Sequence, residues 1–147
     1  MSGHQVVHLA GAELWLLPDK AIYWPERRTL LIADAHFGKA AAYRKLGQPV
    51  PHGTTASNLE VLDRLLATFQ CEHLVFLGDF LHAPGSHALG TLTALMQWRQ
   101  RLPQLAITLI RGNHDKRAGD PPADLGFHVV TEPLQMGPFA LQHEPEP

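Results

Sequence analysis

A single cysteine, Cys71, excludes an internal disulfide, and its place at the mouth of an apolar run favours a small buried thiol over a reactive one. No apolar stretch reaches the roughly 18 residues needed to span a bilayer, so no membrane-spanning segment is expected. Met1 to Leu9 lacks both the basic segment and the continuous apolar segment that direct secretion, which leaves the cytoplasm as the expected location. Neither sign of charge is in large excess: the formal net charge is −2, so any attraction for a polyanion must come from a local patch. Repeats, low-complexity tracts and an interdomain linker are also missing, and Pro and Gly act as punctuation. With 147 residues the expectation is one domain, residues 1–147.

What the chain does have is a 45% hydrophobic fraction arranged in short runs. The first third reads as strands at Val6–Leu9, Glu13–Leu17 and Ala21–Trp24, then a central strand at Thr29–Ala33. A short helix is expected over Lys39–Leu46, stopped by Gly47. Thr54 or Thr55 should cap a longer helix through Phe69, with Leu59, Leu62, Leu65, Leu66 and Phe69 as its inward stripe. The pattern then repeats: strand His73–Leu77, helix near Ser86–Arg101 with Leu89, Leu92, Leu95, Met96 and Leu102 inward, strand Leu105–Ile110. Short strands follow at His128–Thr131, Leu134–Met136 and Phe139–Gln142. Strands alternating with helices predict an α/β fold.

Polar clusters stand where these strands stop: Asp34-Ala35-His36, Gly78-Asp79, Gly112-Asn113-His114-Asp115 and His143-Glu144-Pro145. In open α/β sheets ligand sites form beyond the carboxyl ends of strands. The chain also holds ten histidines, and imidazole is both a metal ligand and a proton shuttle. Carboxylates with imidazoles suit borderline divalent ions. Taken singly, each cluster also reads as a turn or a helix cap. His4, His8, His73 and His128 alternate with strand residues, His52 and His87 fall in loop or cap positions, and His82 lies near the second cluster. Lys39, Arg44 and Lys45 after the first cluster, and Arg111, Lys116 and Arg117 around the third, are candidate phosphate binders or simply solvated charges.

In this order the clusters resemble the blocks of the calcineurin-like metallophosphoesterases. The stretches Ala33–Ala40, Pro49–Thr55, Gly78–His82 and His143–Pro145 resemble most the ligase-associated DNA-damage-response phosphodiesterase and endonuclease family. The resemblance implies a β-sandwich flanked by helices in four layers. It implies two divalent ions, manganese above all, with iron, zinc or magnesium as other occupants. Asp34 and His36 would hold the first ion, Asn113 and His143 the second, and Asp79 would bridge the two. A hydroxide between ions roughly 3.5–4 Å apart would attack the phosphate. His114 would stabilise the transition state or protonate the leaving oxygen, its ring held by Asp115. The implied substrate is nucleic acid, in DNA repair beside a ligase, a helicase and an exonuclease.

The family closes its site with a Gly-His-X-His block downstream of the position of His143, and none follows here. The expectations are therefore an incomplete second sheet, one ligand fewer on each metal, and impaired turnover of this polypeptide. Two other functions stay open: hydrolysis of a nucleotide-sugar or lipid-linked pyrophosphate, and an inactive scaffold that binds DNA or repair partners.

Overall fold

The computed structural model describes residues 5–17, 21–33, 55–77, 89–111, 125–131 and 134–141. It begins with an antiparallel meander. Strand β1 (Gln5–Leu9) turns through Ala10 and Gly11 into β2 (Ala12–Leu17), so that Leu9 pairs with Ala12. Both turn residues have positive φ, 51° and 84°, which is the backbone of the two-residue hairpin whose twist matches that of its strands. Strand β3 (Ala21–Trp24) pairs with β2, and a 3-10 turn at Pro25–Arg27 leads to β4 (Thr29–Ala33).

From β4 onward the sheet becomes parallel. Helix α1 (Thr55–Phe69) precedes β5 (His73–Leu77), helix α2 (Leu89–Gln100) precedes β6 (Ala106–Arg111), and β7 (His128–Thr131) closes the far edge. The main sheet has seven strands in the order β1-β2-β3-β4-β5-β6-β7, so every strand lies beside its neighbour in sequence. A hairpin of β8 (Leu134–Met136) and β9 (Phe139–Leu141) forms a second sheet.

Alternation along the strands sorts the core into two layers. Leu30, Leu74, Phe76, Ile107 and Leu109 face α1 and α2, meeting Leu59, Leu62, Leu66, Leu95 and Trp98. Leu14, Trp24, Leu31, Val75 and Ile110 form the other face, against Leu134, Met136, Phe139 and Leu141 of the small sheet. The architecture is therefore mixed α/β, with helices, main sheet and small sheet as three layers among the described residues.

Specific hydrogen bonds close the end of α1 and tie α2 to it. The end of α1 closes as a Schellman motif: Cys71 N donates to Leu66 O at 3.1 Å, and Gln70, with φ 52°, donates to Ala67 O at 3.3 Å. Tyr23 Oη donates to Phe69 O at 3.1 Å, and the Tyr23 and Phe69 rings stack at 4.7 Å. That contact ties the helix end to β3. The fully buried Trp98 of α2 donates its indole N–H to Asp63 of α1 at 2.7 Å, which satisfies a donor that burial would otherwise strand.

Candidate functional site

The parallel strands start level because their first backbone groups are shared. Glu72 N and His73 N both donate to Arg28 O, at 2.9 and 3.3 Å, and Ala106 N donates to Glu72 O at 3.2 Å. These bonds align the beginnings of β4, β5 and β6. The strands contain five, five and six residues, so they also end level: Ala33 pairs with Leu77, Leu77 with Ile110, and Arg111 with Thr131.

One rim results. Chain positions 34, 78 and 112 each come directly after a strand end on it. With neighbouring strands about 4.8 Å apart, the backbones leaving β4 and β6 are roughly 10 Å apart at the sheet edge. The three strands thus end side by side at the carboxyl edge, the edge beyond which α/β sheets build their sites.

The candidate ligands and catalytic residues Asp34, His36, Asp79, Asn113, His114, Asp115 and His143 lie outside the described residues, as do Lys39 and Arg44. Arg111 is described: it is the half-buried last residue of β6, on the rim beside Thr131. Among the described residues no three His, Cys, Asp or Glu side chains come together as a metal site.

The described histidines stand elsewhere. His73, Thr108 and His128 occupy the start of β5, the interior of β6 and the start of β7, on the face that also carries Val75, Ile110 and Val130, toward the end remote from the rim. His73 Nε2 and Thr108 Oγ1 share a 2.8 Å hydrogen bond. Burial, with the nearby His128 adding to it, holds the His73 pKa below its usual value. The folded chain therefore binds this proton less readily than the unfolded chain, whose histidine titrates near 6.5. Stability should be full above about pH 6.5 and fall as the pH drops below it. Urea midpoints measured between pH 8 and pH 5 check this, and His73→Gln should flatten the acid side of the curve.

Cys71 is half-buried just after α1, and burial pushes its thiol up to about 11. It stays protonated at neutral pH and offers no nucleophile. His8, exposed on β1, lies 3.5 Å from Glu13 in the paired strand. Reading the sequence overlooked Trp24, Arg27 and Gly137, which meet on the second face. Arg27 Cζ lies 4.7 Å above the Trp24 ring, and a Cβ added to Gly137 would come within 2.8 Å of Arg27 Nη2. The visible signal was the Gly137-Pro138 pair between two short apolar runs, a hairpin signature.

Comparison with known proteins follows the same fold. A profile of the calcineurin-like phosphoesterase family matches residues 27–142. The crystal structure of the Pseudomonas putida nuclease MPE is similar over 99% of this chain and 68% of its own, with 54% sequence identity and a TM-score of 0.88. None of the curated proteins matches the chain.

Proposed function

The chain belongs to the calcineurin-like phosphoesterase family, and from that membership we propose that it is a phosphodiesterase that cuts nucleic acid with two divalent metal ions, manganese by preference. The observation that carries this reading is the level ending of β4, β5 and β6, each followed within three residues by a ligand-type residue: Asp34, Asp79 and Asn113.

The donor set fits such ions: carboxylates, imidazoles and an amide oxygen suit borderline divalent cations. Asp34 and His36 would hold one ion, Asn113 and His143 the other, and Asp79 would serve both. When bound, the ions supply an acidified water and neutralise charge on the phosphoryl oxygens. The remaining work belongs to the chain. His114 gives a proton to the leaving oxygen or stabilises the transition state, and Asp115 fixes its tautomer by accepting the other ring N–H. Lys39, Arg44 and Arg111 bind phosphates of the substrate.

Nucleic acid is favoured as substrate because the solved relative, 54% identical, is a nuclease. The resemblance of Ala33–Ala40, Pro49–Thr55 and Gly78–His82 to the ligase-associated family supports a role in DNA repair in the cytoplasm, beside a ligase, a helicase and an exonuclease. No helix among the described residues is long and apolar enough to cross a membrane. The test is purified chain with excess Mn2+ on bis-p-nitrophenyl phosphate, DNA and a panel of nucleotide diphosphates. Hydrolysis of the diester and of DNA is expected. Cleavage of the diphosphates alone makes the protein a pyrophosphate hydrolase, and cleavage of nothing makes it a binding scaffold.

A further inference from the structure

Strand β1 stands at one edge of the main sheet, and among the described residues no strand pairs with its outer side. Such an edge presents a row of backbone N–H and C=O groups that can pair with another chain, and sheets usually blunt it with a lysine, a proline, a bulge or a very short strand. Strand β1 has none of these. Its sequence is Gln5-Val6-Val7-His8-Leu9, and its register with β2 runs unbroken from Gln5 to Leu9. Apolar side chains lie open on both faces beside it. Val6 is 43% exposed on the face it shares with Trp15, and Leu9 and Leu16 are 58% and 37% exposed on the other.

The tight turn decides which backbone groups face outward. In a two-residue hairpin the pair flanking the turn, here Leu9 and Ala12, is a hydrogen-bonded one, and bonded pairs alternate with unbonded ones along the ladder. Gln5, Val7 and Leu9 therefore turn their backbone groups toward β2, while Val6 and His8 turn theirs away from the sheet. These two residues lie symmetrically about Val7. A two-fold axis at Val7 places Val6 of each copy opposite His8 of the other, where each pair exchanges two N–H···O=C bonds.

What this register brings together favours a second copy over other occupants. Val7 meets its own mate in an unbonded pair, the kind in which side chains stand closest, and β-branched residues pack well there. Val7 already lies at the margin of the second core layer, so its mate extends that layer. No Asp, Glu, Lys or Arg lies on β1, so the axis sets no like charges opposite each other. Paired residues also keep their faces, so the helices of both copies cover one side of a joined sheet. The two rims then point to opposite ends, each on strands set back from the joint. Strands this short bury less than the roughly 1,200 Å2 of a standard interface, so the dimer is reversible and depends on concentration.

We propose that β1 is a self-association edge: two copies of this chain join by antiparallel pairing of β1 about Val7, which makes their main sheets continuous. The joint uses only β1 and the apolar side chains beside it. It is independent of the metal ions and of the candidate ligands.

Sedimentation equilibrium of the full chain over a wide concentration range should show a reversible monomer–dimer equilibrium. Val6→Pro removes an outward N–H from each copy and spares the bonds to β2, and Val6→Lys sets a charge on the edge. Each should weaken dimerisation by about tenfold or more. Val6→Thr keeps the N–H and the strand propensity and should dimerise like the parent. Circular dichroism and the thermal midpoint check that the variants are folded, and Val6→Lys carries the test if the proline variant is not. Cross-linking reads the register. With oxidised glutathione, Val7→Cys should join two chains by a disulfide, because an unbonded pair holds its Cα atoms about 4.5 Å apart. Leu9→Cys is the more exposed site but stands roughly 14 Å from its mate and should not cross-link. The parent, with the half-buried Cys71 alone, sets the background. Self-pairing is overturned by a parent chain that stays monomeric at every concentration, which leaves the edge to a strand of another protein. A dimer that both Val6→Pro and Val6→Lys leave intact overturns it too, since the interface is then elsewhere. So does Val7→Cys cross-linking no better than Leu9→Cys.

Discussion

Asp79→Asn should lower Mn2+ content at both positions together and reduce phosphodiester hydrolysis by more than about a hundredfold. The scale follows from known metal sites, where altering a residue that merely supports a ligand already costs ~10–100-fold in affinity or activity. Removing a ligand shared by two ions exceeds that. The exchange of one carboxylate oxygen for an amide keeps the shape of the side chain but removes its charge, and with it the ability to neutralise two cations at once. Asp79 comes two positions after the end of β5, the strand that lies between those preceding Asp34 and Asn113, so it is the acidic candidate whose strand has a candidate-bearing neighbour on each side. His36→Ala supplies the contrast, with one ion lost and the other kept. Metal content by elemental analysis, together with the thermal midpoint of the metal-free protein, separates loss of ligand from loss of fold. Retention of both ions by Asp79→Asn would sink the shared-ligand assignment.

The strands that build the rim were legible because they are buried on both faces. Leu30–Ala33 and Leu74–Leu77 are continuous apolar runs followed by Asp34 and by Gly78-Asp79, and the structure gives the strands the expected bounds, Thr29–Ala33 and His73–Leu77. Boundaries set by pairing rather than by hydrophobicity were not legible. Strand β2 starts at Ala12 because Ala12 pairs with Leu9 across the tight turn, and β6 starts at Ala106 because its N–H bonds Glu72 O. The inward stripe of α2 was read as aliphatic, yet its largest fully buried side chain is Trp98, which needs a polar partner on the neighbouring helix. A residue 35 positions away in sequence provides it, and periodicity within one helix carries no such information.

The candidate ligands rest on a different kind of signal: ligand-type residues recur directly after strands, a pattern that depends on order alone, and they lie outside the described residues. The level ending of the strands that precede them depends on the backbone bonds at Arg28 and Glu72 that start three strands level, and those bonds leave no mark on residue type. The same holds for the seat of the hairpin, where Gly137 must lie against an arginine 110 positions earlier.

His114→Ala should leave Mn2+ binding near that of the parent while lowering turnover by roughly 10²–10⁴, the range for loss of a general acid or base. The separation of the two effects is what distinguishes a residue that serves the phosphate from one that serves the ions. His114 follows Asn113 directly and precedes Asp115, a carboxylate able to hold one ring nitrogen as a donor's partner and so leave the other for the substrate. The loss should also depend on the leaving group. A p-nitrophenolate departs as a stable anion and needs little help, whereas the sugar oxygen of DNA must take a proton as its bond to phosphorus breaks. If His114 supplies that proton, the alanine variant loses more on DNA than on bis-p-nitrophenyl phosphate. Equal losses on both substrates would assign it instead to stabilising charge on the phosphoryl oxygens, whose cost is about 10²–10³ whichever group departs. Loss of bound Mn2+ in the same variant would move His114 among the ligands and reverse its separation from Asn113.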